Sequence, residues 1–216
     1  MNIAIIGAGN VGRALAASFT RAGHAVQVTA LHPEHAASVA AETGARAGAS
    51  NVDAAAAADL VVLAIPFSSA REVAIEIRAA VGGKPVVDTS NRMTYGPTGP
   101  EIDNGPSNAE QLATWLPEAG VVKAFNTLFS SNQADPTVDG IQLDGYVAAD
   151  DPTAKAAALE LVASIGLRPI DVGPLGRAQQ LEQLAFLNIA LNALNGWSWS
   201  SGWRLAGAPS SLPTAA

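Results

Sequence analysis

The 216-residue chain contains no cysteine, which excludes disulfides, thiolate metal ligands and cysteine nucleophiles. Histidine and lysine are nearly as scarce: His24, His32 and His35, and Lys84, Lys123 and Lys155, are all there are. The last third therefore has no imidazole base, and no metal site is expected. Positive charge is also short, with 12 basic against 19 acidic residues, a net −7 and no basic cluster. That balance disfavours nucleic acid and anionic membrane as partners and suits a small organic ligand. No stretch approaches the roughly 20 apolar residues of a membrane span. The chain opens on a strand-like run without a basic leader, so a cytoplasmic location is expected.

What is present is patterned. Residues 2–6 are an apolar run that meets Gly7-Ala8-Gly9-Asn10-Val11-Gly12, after which Val11, Leu15 and Phe19 repeat at helical spacing until Gly23. A strand over 25–29 and a helix opened by Pro33 complete a βαβ unit. Apolar runs at 59–65 and 85–88, separated by a helix over 69–80, predict parallel strands buried on both faces. Residues 91–106, with Gly96, Pro97, Gly99, Pro100, Gly105 and Pro106, read as a long irregular excursion of the kind that often carries function. A helix over 107–116 leads into a strand over 121–125, and the alternation predicts a doubly wound parallel α/β sheet. Past a boundary near residue 130, strands over 145–149 and 168–172 flank a helix over 152–165, and an apolar helix runs over 177–194. The expected division is a dinucleotide-binding domain, 1–130, and a small C-terminal α+β or helical appendage, 131–216. The alanine run 54–58 is taken as compositional bias.

The chain holds 20 glycines, so a G-x-G-x-x-G string alone is weak, but strand before and helix after strengthen it. In a dinucleotide grip Gly7 makes the tight turn, Gly9 lets backbone approach a pyrophosphate, and Gly12 lets helix and strand pack closely, with Asn10 and Val11 between them. The helix N-terminus then faces the phosphates. After the second strand a ribose 2′-hydroxyl calls for Asp or Glu and a 2′-phosphate for Arg. Here stands Thr29-Ala30-Leu31-His32-Pro33-Glu34-His35, with His32 and His35 spaced to meet on a first helical turn. Either they receive a 2′-phosphate with Thr29, or they are solvent-exposed loop residues.

Three further clusters stand at strand ends: Ile65-Pro66-Phe67, Asp88-Thr89-Ser90-Asn91 and Lys123-Ala124-Phe125-Asn126. Open α/β sheets bind ligands beyond these ends. The Pro-Phe edge suits an aromatic ring, while Ser90, Asn91 and Asn126 suit a carboxamide or ribose; ordinary turn chemistry is the alternative for each. Carbonyl reduction needs a positioned proton donor, for which Lys123 and Tyr146 are the few candidates. Trp197, Trp199 and Trp203 fall within seven residues and are fit to wall a pocket, pack a dimer or join the core.

GAGNVG after the first strand, DTSNR at 88–92, GPSNAEQLATWLPEAGVVKAFNT at 105–127 and the Trp-rich end resemble the deazaflavin-dependent NADP reductase family. The resemblance implies a Rossmann domain with a small C-terminal domain, commonly a homodimer. In it a nicotinamide passes hydride to a deazaflavin (coenzyme F420), a flavin or another small-molecule acceptor in a cleft. It also implies dinucleotide contacts from residues 7–12, the end of the second strand, Ile65, Pro66, Phe67 and Ala124 with its neighbours. NADP-binding members usually place Ser-Arg where this chain has Ala30-Leu31, and a Lys where it has His35, so NADP and NAD both stay open. Two other readings keep the fold: reduction of a small imine or carbonyl compound, and dinucleotide sensing without turnover.

Overall fold

The computed structural model describes residues 1–96, 99–102 and 105–207. β1 (Asn2–Ile6) leads into α1 (Asn10–Arg21), β2 (Ala25–Thr29) into α2 (Pro33–Thr43), β3 (Arg46–Ala47) into α3 (Asn51–Ala57), and β4 (Leu60–Leu63) into α4 (Phe67–Val81). β5 (Pro85–Asp88) is followed by an antiparallel hairpin, β6 (Thr94–Gly96) and β7 (Gly99–Glu101), then α5 (Asn108–Trp115), β8 (Gly120–Ala124) and the short α6 (Ser130–Ala134). A second hairpin, β9 (Thr137–Val138) and β10 (Ile141–Gln142), precedes β11 (Asp144–Ala149), α7 (Pro152–Ser164), β12 (Arg168–Gly173) and α8 (Ala178–Asn195).

Eight strands form one sheet in the order β12-β11-β8-β5-β4-β1-β2-β3. From β3 to β8 every pairing is parallel. β11 then joins β8 antiparallel, and β12 runs parallel to β11. The chain steps outward from β1 to β3 and returns on the other side of β1 with β4, so the strand order reverses beside the glycine turn. In open α/β sheets that reversal opens a ligand crevice at the carboxyl ends.

Alternation along β1 shows why both faces are covered. Ile3 and Ile5 pack with Leu15 and Phe19 of α1 and with α7, whereas Ala4 and Ile6 pack with α3, α4 and α5 through Ala54, Ile77 and Leu112. The alanine run left without an element by composition is thus most of α3: Ser50 caps it, and Ala54 and Ala55 are small enough to lie buried against the sheet. The segment 91–106 is likewise not wholly irregular, because β6 and β7 pair within it; Pro97 lies outside the described residues.

Residues 203–205 are bound to the far edge of the sheet. Asp144 is fully buried and accepts from the Arg168 fork at 2.6 and 2.9 Å and from the Leu205 N–H at 2.7 Å. Burial opposes its charge, but the Arg168 fork, the Leu205 N–H and the Tyr146 hydroxyl together hold it below the usual carboxylate range. Among the described residues no helix is long and apolar enough to cross a membrane.

Candidate functional site

The three glycines of the turn are required for different reasons. Gly7 has φ +118°, and a Cβ there would stand 2.2 Å from the Ala64 carbonyl oxygen. A Cβ on Gly12 would stand 1.9 Å from the Gly7 carbonyl oxygen, so packing excludes any side chain. At Gly9 a Cβ would meet nothing within 4 Å among the described residues. Its glycine is not demanded by the protein itself, as fits a backbone that a ligand approaches. Gly9 is also the N-cap of α1, whose first turn has no acidic residue and no side-chain cap. The unpaired N–H groups and the positive end of the helix dipole there suit an anion.

At the end of β2 the hydroxyl of Thr29 donates to Asn51 Oδ1 at 2.6 Å, so its hydrogen is already engaged. Leu31 is 92% exposed. His32 caps α2, and its ring lies 5.4 Å from that of His35, with Glu34 3.8 Å from His32 Nδ1. The spacing thus brings the two imidazoles together at the crevice rim. At the end of β4, Ile65 is half-buried, Pro66 caps α4, and Phe67 stacks on Trp115 at 5.7 Å.

The ends of β5 and β8 are joined by two polar systems. In the first, Lys123 is fully buried and donates to Asp88 Oδ2 at 2.8 Å, to Glu182 Oε1 at 2.6 Å and to the Ser90 carbonyl. Ser90 points its hydroxyl at Asp88 Oδ1 and accepts from Asn108 Nδ2, so this serine, expected at a ligand, is held inside the network. Burial pushes the Glu182 carboxyl up, against the pull of Lys123, as befits two carboxylates sharing one ammonium. In the second system Asn91 Nδ2 donates to the Asn126 carbonyl and Asn126 Nδ2 donates to Asn91 Oδ1. Between them Ala124 is buried at the end of β8. Phe125 leaves that strand at φ +63°, a conformation uncommon for a bulky side chain, and its ring packs edge-on against Phe19 in the core. The turn sends Phe125 inward and Asn126 toward Asn91.

A cavity of about 180 Å³ opens here, lined by Val11 of the glycine turn, Asn91, Asn126, Thr127, Leu128, Phe129 and, from α8, Ala185, Asn188 and Ile189. Among the described residues no ionisable side chain is in this lining. A larger recess of about 460 Å³, with His24 and Arg46, lies at the amino ends of β1 and β2, away from the crevice. Tyr146 is not at the cavity: its hydroxyl donates to Asp144 at 3.1 Å, and burial with that carboxylate pushes its pKa up. Lys123 is likewise committed to its carboxylates, which leaves neither expected proton donor free. Sequence reasoning missed Glu182, Asn188 and Ile189; the available signal was an acid and two asparagines on the buried side of an apolar helix. Among the described residues no group of three or more His, Asp or Glu is placed to hold a metal ion.

Residues 2–92 match the model of the family described as NADP oxidoreductase coenzyme F420-dependent. A relative from Methanothermobacter thermautotrophicus named F420-dependent NADP reductase is 34% identical over 212 residues, covering 90% of each chain. The chain belongs to the coenzyme F420-dependent NADP oxidoreductase family. It is accordingly a nicotinamide-dependent oxidoreductase that moves hydride. A crystal structure from Arthrobacter sp. FB24, assigned provisionally as an F420-dependent NADP reductase, superposes with a TM-score of 0.86 at 28% identity, over 95% of this chain and 99% of that one. Metalloreductase STEAP3 of Rattus norvegicus is 29% identical over 84% of this chain but only 36% of its own length. The family match spans the glycine turn and the ends of β2, β4 and β5, while the α8 wall of the cavity lies beyond it.

Proposed function

We propose that this family member transfers hydride between NADP and a planar acceptor of the deazaflavin class, coenzyme F420, with a flavin as the nearest substitute. Residues 1–130 hold the dinucleotide, and residues 131–216 supply the acceptor wall and a dimer contact in a cytoplasmic homodimer. The observation that carries the reading is the lining of the cavity: amides, a hydroxyl and apolar groups, with no acid or base. Reducing a carbonyl requires a proton delivered to oxygen by a positioned group, whereas passing hydride between two stacked rings requires chiefly alignment and exclusion of water.

Each part of the chain has a task in that alignment. Gly9 and the first turn of α1 receive the pyrophosphate, with Gly7 and Gly12 keeping the turn tight and Asn10 and Val11 lining it. Leu31 and the His32–His35 pair receive the adenine-side ribose and its 2′-phosphate, the imidazoles standing where Arg is usual. Ile65, Pro66 and Phe67 border the path across the strand ends, and Ala124, Phe125, Asn126 and Asn91 surround the reactive end. When bound, the reduced nicotinamide supplies the hydride. The acceptor's proton comes from solvent.

The test is anaerobic mixing of NADPH-loaded protein with coenzyme F420, with FMN and with a panel of cyclic imines. Oxidation of NADPH by the deazaflavin, faster than by FMN and absent with imines, is expected. Turnover with imines alone would replace the acceptor class. Tight NADPH binding without turnover on any of them would favour a sensor.

A further inference from the structure

Asn126 carries a buried acceptor atom that the protein leaves unused. The orientation of its amide is fixed by its neighbour. Asn91 Nδ2 donates at 3.0 Å to the backbone carbonyl of Asn126, an atom that only accepts, so Asn91 must present Oδ1 on its other side. That Oδ1 also only accepts, and Asn126 Nδ2 donates to it at 2.8 Å. The remaining atom, Asn126 Oδ1, is therefore an acceptor by logic and not by choice of flip. Among the described residues it has no partner, and Asn126 as a whole is only 5% exposed. Leaving such an atom unpaired is costly, and folded proteins seldom do so without a use for it. Asn126 lines the 180 Å³ cavity together with Val11, whose helix start receives the pyrophosphate in the function proposed above. A dinucleotide laid from Gly9 toward the ends of β5 and β8 brings its nicotinamide half to this cavity. The substituent on that ring is a carboxamide, whose –NH2 is the donor an orphaned oxygen lacks.

We propose that Asn126 Oδ1 accepts a hydrogen bond from the carboxamide –NH2 of the nicotinamide, so that the Asn91–Asn126 pair sets the rotation of the ring and the face it turns toward α8. The left-handed turn at Phe125 is the backbone feature that places this oxygen. The inference rests on the dinucleotide reading, and it assigns one atom a donor of one chemistry.

The experiment is a comparison of dissociation constants, by calorimetry without any acceptor, for NADP and its 3-acetylpyridine analogue, in which the –NH2 is replaced by a methyl group. The wild-type protein is expected to favour NADP by about tenfold, the worth of a lost bond to a buried acceptor. In Asn126→Leu, and in Asn126→Ser should the first not fold, the two ligands are expected to bind alike. Equal discrimination by wild type and variant, or none by the wild type, overturns the assignment while leaving the dinucleotide reading intact. Failure of the wild type to bind NADP or NAD at all overturns both.

Discussion

Gly9 and Gly12 carry the same side chain for opposite causes, and a single methyl group separates them. At Gly12 the methyl would overlap the Gly7 carbonyl, so Gly12→Ala is expected to destabilise the fold by on the order of 3 kcal/mol, seen as a lowered urea midpoint. At Gly9 it meets open space, so Gly9→Ala should keep the wild-type midpoint yet weaken NADPH binding at least about tenfold, by standing where the pyrophosphate approaches. Comparable stability losses in both variants would remove the distinction. The imidazoles allow a second residue-scale test. Replacing the pair in His32→Ala/His35→Ala should weaken NADPH binding several-fold and leave NADH binding level, whereas equal effects on both would place the 2′-phosphate elsewhere. Such positions were legible from spacing, because i and i+3 on a helical turn must meet. The free oxygen of Asn126 was not, since it depends on a partner 35 residues away and on an unusual φ at Phe125.

The elements around the site are held together by the ammonium of Lys123, which joins β5 through Asp88 and α8 through Glu182. The cavity is built a few residues further along each of the same segments: Asn91 follows Asp88, Asn126 follows Lys123, and Ala185 and Ile189 follow Glu182. Lys123→Met would leave two buried carboxylates facing each other and should cost about 3–5 kcal/mol, with part of the loss recovered in Lys123→Met/Glu182→Gln. Additive losses in the double variant would argue against shared charge. Because burial raises the Glu182 pKa, the native state holds that proton more tightly than the unfolded chain does. Its contribution to stability is therefore full below the ordinary glutamate range and is lost as pH rises through the raised value. Glu182→Gln should flatten that part of the stability–pH curve, and an unchanged curve would assign the titration elsewhere. Strands β1, β4 and β5 were readable as bounded apolar runs, and β2 and β8 as short valine-bearing runs that also carry a polar residue, Gln27 and Lys123. The helix α3 was not, because uniform alanine has no periodicity to read, and its burial comes from the sheet it packs on.

For the whole molecule, α8 poses the remaining question of what covers its outer side. Ala178, Leu181, Ala185, Asn188 and Asn192 form its buried stripe at steps of three and four, as expected of a helix on a core. A second stripe, Leu187, Leu191 and Leu194, runs along the helix with Leu194 83% exposed, and Trp197 and Trp199 continue it half-exposed beyond the helix end. An apolar strip of this kind suits the homodimer proposed above, because an isologous contact would bury the strip against itself. If that is the dimer contact, sedimentation of the wild type should give twice the chain mass and Leu187→Glu/Leu194→Glu the chain mass. The same helix supplies Ala185, Asn188 and Ile189 to the cavity, and Trp199 packs edge-on against the cavity residue Phe129 at 5.5 Å. Separating the copies should therefore leave NADPH affinity unchanged, because the glycine turn lies on β1 and α1, while raising the KM for the acceptor several-fold. A monomeric wild type, or a dimer that survives both charges, would move the interface away from α8. A loss of NADPH affinity in the separated protein would show that the contact between copies also supports the nicotinamide end of the cavity.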